Sequence, residues 1–159
     1  MAGREGKGID MASGEIFKGA SYILTPIKEN SEKNVKLLSE IAYSMGCSKV
    51  IKIHPRAHDN IIGYTSQLPH ILAITLINSN EFEEIDSFVG GGFKDLTRIA
   101  INNSSLWSEL LLKNKHNLIH SINNFQKEVE DIKQALINGD EIFIKEKFEE
   151  ANKKRREIL

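Results

Sequence analysis

The chain of 159 residues holds one cysteine, three prolines and one tryptophan, and no excess of either charge. Each scarcity excludes something. The single thiol, Cys47, rules out an internal disulfide and any metal site built from several cysteines. It fits a reducing compartment, so a cytoplasmic location is expected. Lysine plus arginine number 21 against 22 for aspartate plus glutamate, a net charge of -1. That balance removes the electrostatic case for bulk nucleic-acid binding. No apolar run reaches the roughly 18 residues of a spanning helix, so no membrane partner is expected. The opening stretch Met1–Gly8 has no apolar segment, so no secretory leader is expected. There is no internal repeat and no low-complexity tract.

What is there is ordinary globular composition: 40% hydrophobic and 27% charged. The length suits one domain, or one domain and a fragment of another, with a sizeable core. Residues 1–20 are glycine-rich and read as a loop with a turn of helix around Asp10–Phe17. Ser21–Thr25 is a short strand closed by Pro26, which cannot donate to a ladder. Ser31 caps a helix running to Met45, with Val35, Leu38, Ala42 and Met45 on one face and Gly46 as its stop. Lys49–Ile53 is a second strand, closed by Pro55. Strand, helix and strand in this short span make a βαβ unit with parallel strands.

From Arg56 onward the strand signals vanish. His58–Ser79 reads as one helix, kinked at Pro69, which should free the carbonyl of Thr65. Glu81–Asp86 is an acidic connector. Gly90-Gly91-Gly92 reads as a hinge or tight loop, followed by a short helix over about Phe93–Ile101. A cap cluster, Asn102–Ser105, should start a long helix over 104–138. Its apolar seam is Trp107, Leu111, Leu118, Ile122, Phe125, Val129, Ile132 and Leu136. More than 30 helical residues would extend roughly 45–50 Å, more than a domain of this size is wide. A homodimer through this helix is therefore expected. Gly139 ends it and Asp140 caps a last helix, Glu141–Glu157.

Several motifs fail. Gly3–Gly8 with Lys7 lacks phosphate-loop spacing and a preceding strand. Gly90-Gly91-Gly92 lacks the third spaced glycine and the strand of a dinucleotide fingerprint. Lys153-Lys154-Arg155-Arg156 is flanked by Glu149, Glu150 and Glu157, so a solvated helix end is the better reading, and cations there suit the helix dipole. Nothing near Cys47 would activate its thiol. His54, His58 and His70 with Asp59 give no His-x3-His pair on a continuous helix, so no metal is expected.

The remaining set is His70, Lys94, Asp95, Arg98 and Trp107. Lys94 and Arg98 are like charges at i, i+4, mildly repulsive unless an anion sits near. Two readings stand on spacing alone. One is a satisfied histidine, a surface helix and a core tryptophan. The other is an anion site made of imidazole, guanidinium and an aromatic wall, where arginine suits a carboxylate.

These residues also carry a resemblance. His58-Asp59, Ser66-Gln67-Leu68-Pro69-His70, Gly90-Gly91-Gly92-Phe93-Lys94-Asp95-Leu96-Thr97-Arg98-Ile99-Ala100 and Trp107, in this order and spacing, resemble prephenate dehydrogenase of tyrosine biosynthesis. Met1-Ala2-Gly3-x-Glu5 is similar to the tail of that family's His-Pro-Met-Ala-Gly-x-Glu motif, and Tyr22–Pro26 to its last sheet region. The family oxidatively decarboxylates prephenate to 4-hydroxyphenylpyruvate with NAD or NADP.

The resemblance implies a mainly α fold: an all-helical dimerisation and substrate-binding domain over 57–159, preceded over 1–56 by a short βαβ remnant of a Rossmann-type nucleotide domain. Arg98 matches the arginine that binds a substrate carboxylate. His70 matches the histidine that contacts the pyruvyl side chain, and tyrosine in members inhibited by it. Glu5 matches an acidic residue at the pocket edge, and Trp107 a wall residue near the dimer interface. Asp59, Asp95 and Lys94 are expected in an ionic network that gates access, with Arg98 and Glu5. Gln67 stands where many members have histidine, which leaves the pocket's pH response open. The family's catalytic histidine falls two residues before the position of Met1, so no catalytic residue is expected in this chain. No cofactor is expected on it either, and alone it should be inactive. Prephenate, 4-hydroxyphenylpyruvate and tyrosine are the expected small-molecule ligands. The alternative is a non-catalytic regulatory module that binds an aromatic acid such as tyrosine.

Overall fold

The computed structural model describes residues 8–158, apart from the side chain of Met11. Two short 3-10 turns, Ile9–Met11 and Gly14–Phe17, precede the first strand. Strand β1, Ser21–Leu24, pairs in parallel with β2, Lys49–Lys52, in the register Ser21↔Lys49 to Leu24↔Lys52. Helix α1, Glu32–Ser44, crosses between them, and the Ser31 hydroxyl accepts from the Asn34 amide at its start. The βαβ unit is thus as the sequence predicts. Among the described residues the sheet has two strands, so each keeps an open outer edge.

Helix α2 is Pro55–Ile62, and here the structure corrects the sequence reading. Pro55 begins a helix, and the strand before it has already ended at Lys52. Its missing N–H falls where a helix has no partner for one, and the His54 ring accepts from the Arg56 amide. The helix then passes into a π turn, Gly63–Gln67, and continues as α3, Leu68–Asn78. The π turn, closed by the Leu68 amide on the Gly63 carbonyl, is how the chain absorbs Pro69. A side chain takes up the neighbouring carbonyl, that of Ser66: the His70 ring nitrogen Nδ1 lies 2.9 Å from it.

The glycine triplet is not a separate loop. Gly90 caps α4, Gly91–Thr97, so two glycines lie inside its first turn, and none of the three has positive φ. A 3-10 turn, Arg98–Ala100, completes the predicted short helix and packs on α3.

The expected long helix 104–138 is two helices. Helix α5 is Ser104–Lys113, and α6 is Lys115–Asn138. The break is at Asn114, with φ -107° and ψ 21°, and its side chain is tied to α2 and the π turn. Helix α6 alone spans about 36 Å. Gly139, at φ 66°, supplies the left-handed stop that other residues adopt only with strain. Asp140 accepts from the Phe143 amide and starts α7, Glu141–Ile158. Helix α7 folds back on α6, where Lys147 Nζ meets Glu128 at 2.8 Å.

The core is thin. Leu68 and Ala73 of α3 and Leu118 of α6 are buried, as are Ala42 and Cys47 in the βαβ unit. The chain exposes 12841 Å², against roughly 8000 Å² for a compact monomer of this mass by the usual surface scaling. Phe125, Val129, Ile132 and Leu136, all on the predicted seam, stand exposed.

Candidate functional site

The site forms where α3 and α5 begin. His70 lies in the first turn of α3, just past the π turn. Its Nδ1 faces the Ser66 carbonyl, which can only accept, so Nδ1 carries the proton. That leaves Nε2 as the ring atom open to a ligand. Trp107 lies in the first turn of α5, whose start is fixed by Asn103. The Asn103 side chain accepts from the Leu106 amide, and its carbonyl from the Trp107 amide at 3.0 Å. The two rings stack, with centroids 3.5 Å apart and planes 25° from parallel. Each ring sits one turn from a capped or bonded helix start, which limits how far either can swing.

The stacked pair lines an open cleft of about 430 Å³. Ile71, Ile74, Ile77 and Leu111 form its apolar wall, and Asn78, Asn102, Ser104 and Ser108 supply polar groups. This volume and lining suit a small aromatic molecule with a polar end. Sequence reasoning singled out His70 and Trp107 but read Asn102–Ser105 only as a cap cluster. Its polar side chains were the signal that this end of α5 also faces the cleft.

The cations lie at the margin. Arg98 is exposed and opens the 3-10 turn that carries Ala100 into the cleft wall; Arg98 does not itself line the cleft. Lys94 and Asp95 are exposed on α4, and neither forms an ion pair with another described residue. Asp59 pairs with its neighbour His58 at 2.9 Å. Glu5 lies outside the described residues. Among the described residues no group of three or more His, Cys, Asp or Glu could hold a metal ion.

Behind the stack lies a polar knot that sequence reasoning missed. Asn114 Nδ2 lies 2.8 Å from the Asp59 carbonyl and 2.8 Å from Gln67 Oε1, and Asn114 Oδ1 accepts from Asn117. Gly63 lies against this knot: a Cβ there would stand in ordinary contact with Asn114 Nδ2 at 3.4 Å and Asn117 at 3.5 Å. A signal did exist: the apolar seam lapses between Leu111 and Leu118, and an asparagine sits in the gap.

Titration shifts fall elsewhere, in the α6–α7 hairpin. The hydrogen bond that Lys147 donates to the Glu128 carboxylate holds the Lys147 amine above its ordinary value. Lys154 holds the Glu150 carboxyl below its own, and Lys133 and Gln134 do the same for Glu130. Lys154 is itself raised by Glu150, within 2.5 Å, at the solvated end of α7.

Among helices described here, none is long and apolar enough to cross a membrane. The sequence profile described as "Prephenate dehydrogenase, dimerization domain" matches residues 54–150. The chain is 34% identical to the prephenate dehydrogenase of Lactococcus lactis subsp. cremoris over 161 residues, covering 98% of this chain and 43% of that protein. It is 29% identical to the prephenate dehydrogenase of Bacillus subtilis, covering 84% of this chain and 37% of that protein. The chain therefore spans about two fifths of the length of these relatives. Among solved structures, the prephenate dehydrogenase from A. aeolicus in complex with hydroxyphenyl propionate and NAD+ superposes with a TM-score of 0.89 at 32% identity, covering 100% of this chain and 57% of that one.

Proposed function

The chain belongs to the prephenate dehydrogenase dimerization-domain family, and on that premise we propose that it supplies the substrate-carboxylate site and the dimer contact of an enzyme that oxidatively decarboxylates prephenate to 4-hydroxyphenylpyruvate. The observation that carries this reading is the His70–Trp107 stack at 3.5 Å on one wall of an apolar cleft. The wall takes the ring of the substrate. Nε2 of His70 meets the pyruvyl side chain. Arg98, on the turn beside the cleft, orients a carboxylate of the dianion. Its task is positioning, because a tight grip on the departing carboxylate would stabilise the ground state and slow the loss of carbon dioxide. Glu5, Asp59, Asp95 and Lys94 set the charge around the way in. Residues 1–56 and 57–159 act as two parts, the first belonging to a nucleotide-binding domain.

In a whole enzyme of this family, NAD or NADP would supply the oxidant. The described residues do not fit it: β1 joins α1 through Thr25–Ser31, which holds no glycine and offers no cradle for a pyrophosphate. No step is therefore assigned to this chain beyond binding and orientation. This favours, as a second reading, a module that senses an aromatic acid such as tyrosine. The apolar seam of α6 is covered by a second copy, making a homodimer.

Calorimetric titration of the chain with hydroxyphenyl propionate and with tyrosine tests the site. Heat is expected with the first ligand. Arg98→Ala should weaken binding about ten- to a hundredfold, the worth of a charge-assisted hydrogen bond. Heat with tyrosine alone would favour the sensing module. No heat with either ligand would overturn both readings, and NAD-dependent turnover of prephenate by this chain alone would overturn the assignment of binding without chemistry.

A further inference from the structure

The polar knot at Asn114 touches no part of the proposed ligand, yet it joins α2, the π turn and α6 and, through Gln67, reaches α5. Both N–H bonds of its amide are used, one to the Asp59 carbonyl in α2 and one to Gln67 Oε1 in the π turn, each at 2.8 Å. Its oxygen accepts from Asn117 Nδ2, one turn into α6, at 2.8 Å. Gln67 is only 6% exposed, and its Nε2 points to the Leu110 carbonyl of α5 at 3.5 Å. Gln67 stands three residues before His70, and Leu110 three residues after Trp107, so the knot ties the backbone about one turn from each ring. A stack at 3.5 Å has no slack, since a small radial gap already forfeits much of a van der Waals contact. The knot also interrupts what would otherwise be one helix from Ser104 to Asn138, and asparagine is a poor residue for a helix interior.

We infer that Asn114 is the positioning residue of the cleft: through Gln67 it holds the π turn against the junction of α5 and α6 and so sets the His70–Trp107 stack. The purpose of that stack rests on the proposed ligand site; the geometry does not.

Trp107 is the sole tryptophan, and a stacked imidazole quenches indole emission chiefly in its charged form, so fluorescence of the ligand-free chain in mildly acid buffer reads the stack directly. Asn114→Leu keeps the branching of the side chain and removes both donors. It should lose the greater part of the quenching, bringing Trp107 close to the brightness of His70→Ala, with helix content by circular dichroism unchanged. In the His70→Ala background Asn114→Leu should add nothing, which separates action through the stack from general loosening. Wild-type emission in a folded Asn114→Leu chain would overturn the inference, as would an equal rise in both backgrounds. Should Asn114→Leu not fold, Asn117→Ala removes only the outer bond. A partial loss of quenching, again absent without His70, is then expected, and unchanged emission overturns the inference. Because no ligand is present, a chain that passes this test but gives no heat with an aromatic acid would refute the proposed function and leave the knot standing.

Discussion

In the first half of α6, Leu118 is 5% exposed and Ile122 half-buried; in the second half, on the same stripe, Phe125, Val129, Ile132 and Leu136 stand 38%, 48%, 41% and 65% exposed. The spacing is the same in both halves. What differs is the neighbour. The first half meets the π turn and α3, whose sequence bends around Pro69 to receive it. The second half meets α7 on one side only, where Ala135 is buried and Lys147 reaches Glu128. Apolar periodicity therefore tells which face of a helix seeks cover, and says nothing about whether the cover lies in the same chain.

The largest expected effect breaks the second half. Val129→Glu with Ile132→Glu places carboxylates on the exposed seam, where they cost nothing in a monomer and would be buried unpaired in a dimer. Sedimentation should show complete loss of the dimer at micromolar concentration with helix content retained. A wild-type chain that is itself monomeric there would refute the pairing. The contrasting change, Leu118→Ala, falls in the first half and leaves a cavity inside one chain. It should cost roughly 2–4 kcal/mol in urea unfolding without changing which chains associate. A loss near zero would mean that the first half is no better packed than the second.

The smallest effect sharpens the contrast at the α6–α7 contact. Glu128 hydrogen-bonds the charged amine of Lys147 and raises its value in the folded state. Such a pair contributes fully below the ordinary lysine value of 10.5 and is lost as pH rises through the folded-state value. The stability difference between wild type and Lys147→Met should thus be flat through neutral pH and shrink only in strong alkali. A difference that already fades near neutrality would remove Glu128 as its cause. Glu128 is exposed and Lys147 only half-buried at the surface, so the difference itself should be slight.

Local signals carried much of the fold. Ser31, Gly46, Gly139 and Asp140 mark helix ends through their own caps and backbone preferences, and each end falls where those preferences put it. The parallel β pair followed from two short strands and a helix between them. The failures share one cause. Pro69 announces a disturbance, but whether the chain kinks, breaks or forms a π turn depends on what packs against it. The three glycines looked like a hinge or tight loop because flexibility is their usual use, yet two of them lie in α4, and the turn after it packs on α3. Asn114 reads as one weak position in a long helix until its partners, Asp59 and Gln67, come in from 55 and 47 residues away.

The candidate site divides in the same way. His70, Arg98 and Trp107 stood out as polar or aromatic groups at odd places in apolar or glycine-rich stretches. Their mutual arrangement did not, because the stack joins two helix starts that are distant along the chain.

The sequence by itself determined the class, the element types, the βαβ unit, the apolar seam and the residues worth watching. These depend on period, capping and composition, which are properties of neighbours in the chain. Only the tertiary structure decided that the seam belongs to two helices rather than one, that half of it is covered and half open, and that an asparagine ties the wall of the cleft together. Those outcomes depend on contacts between distant segments, where a single hydrogen-bonded side chain outweighs the modest preference of several residues to continue a helix.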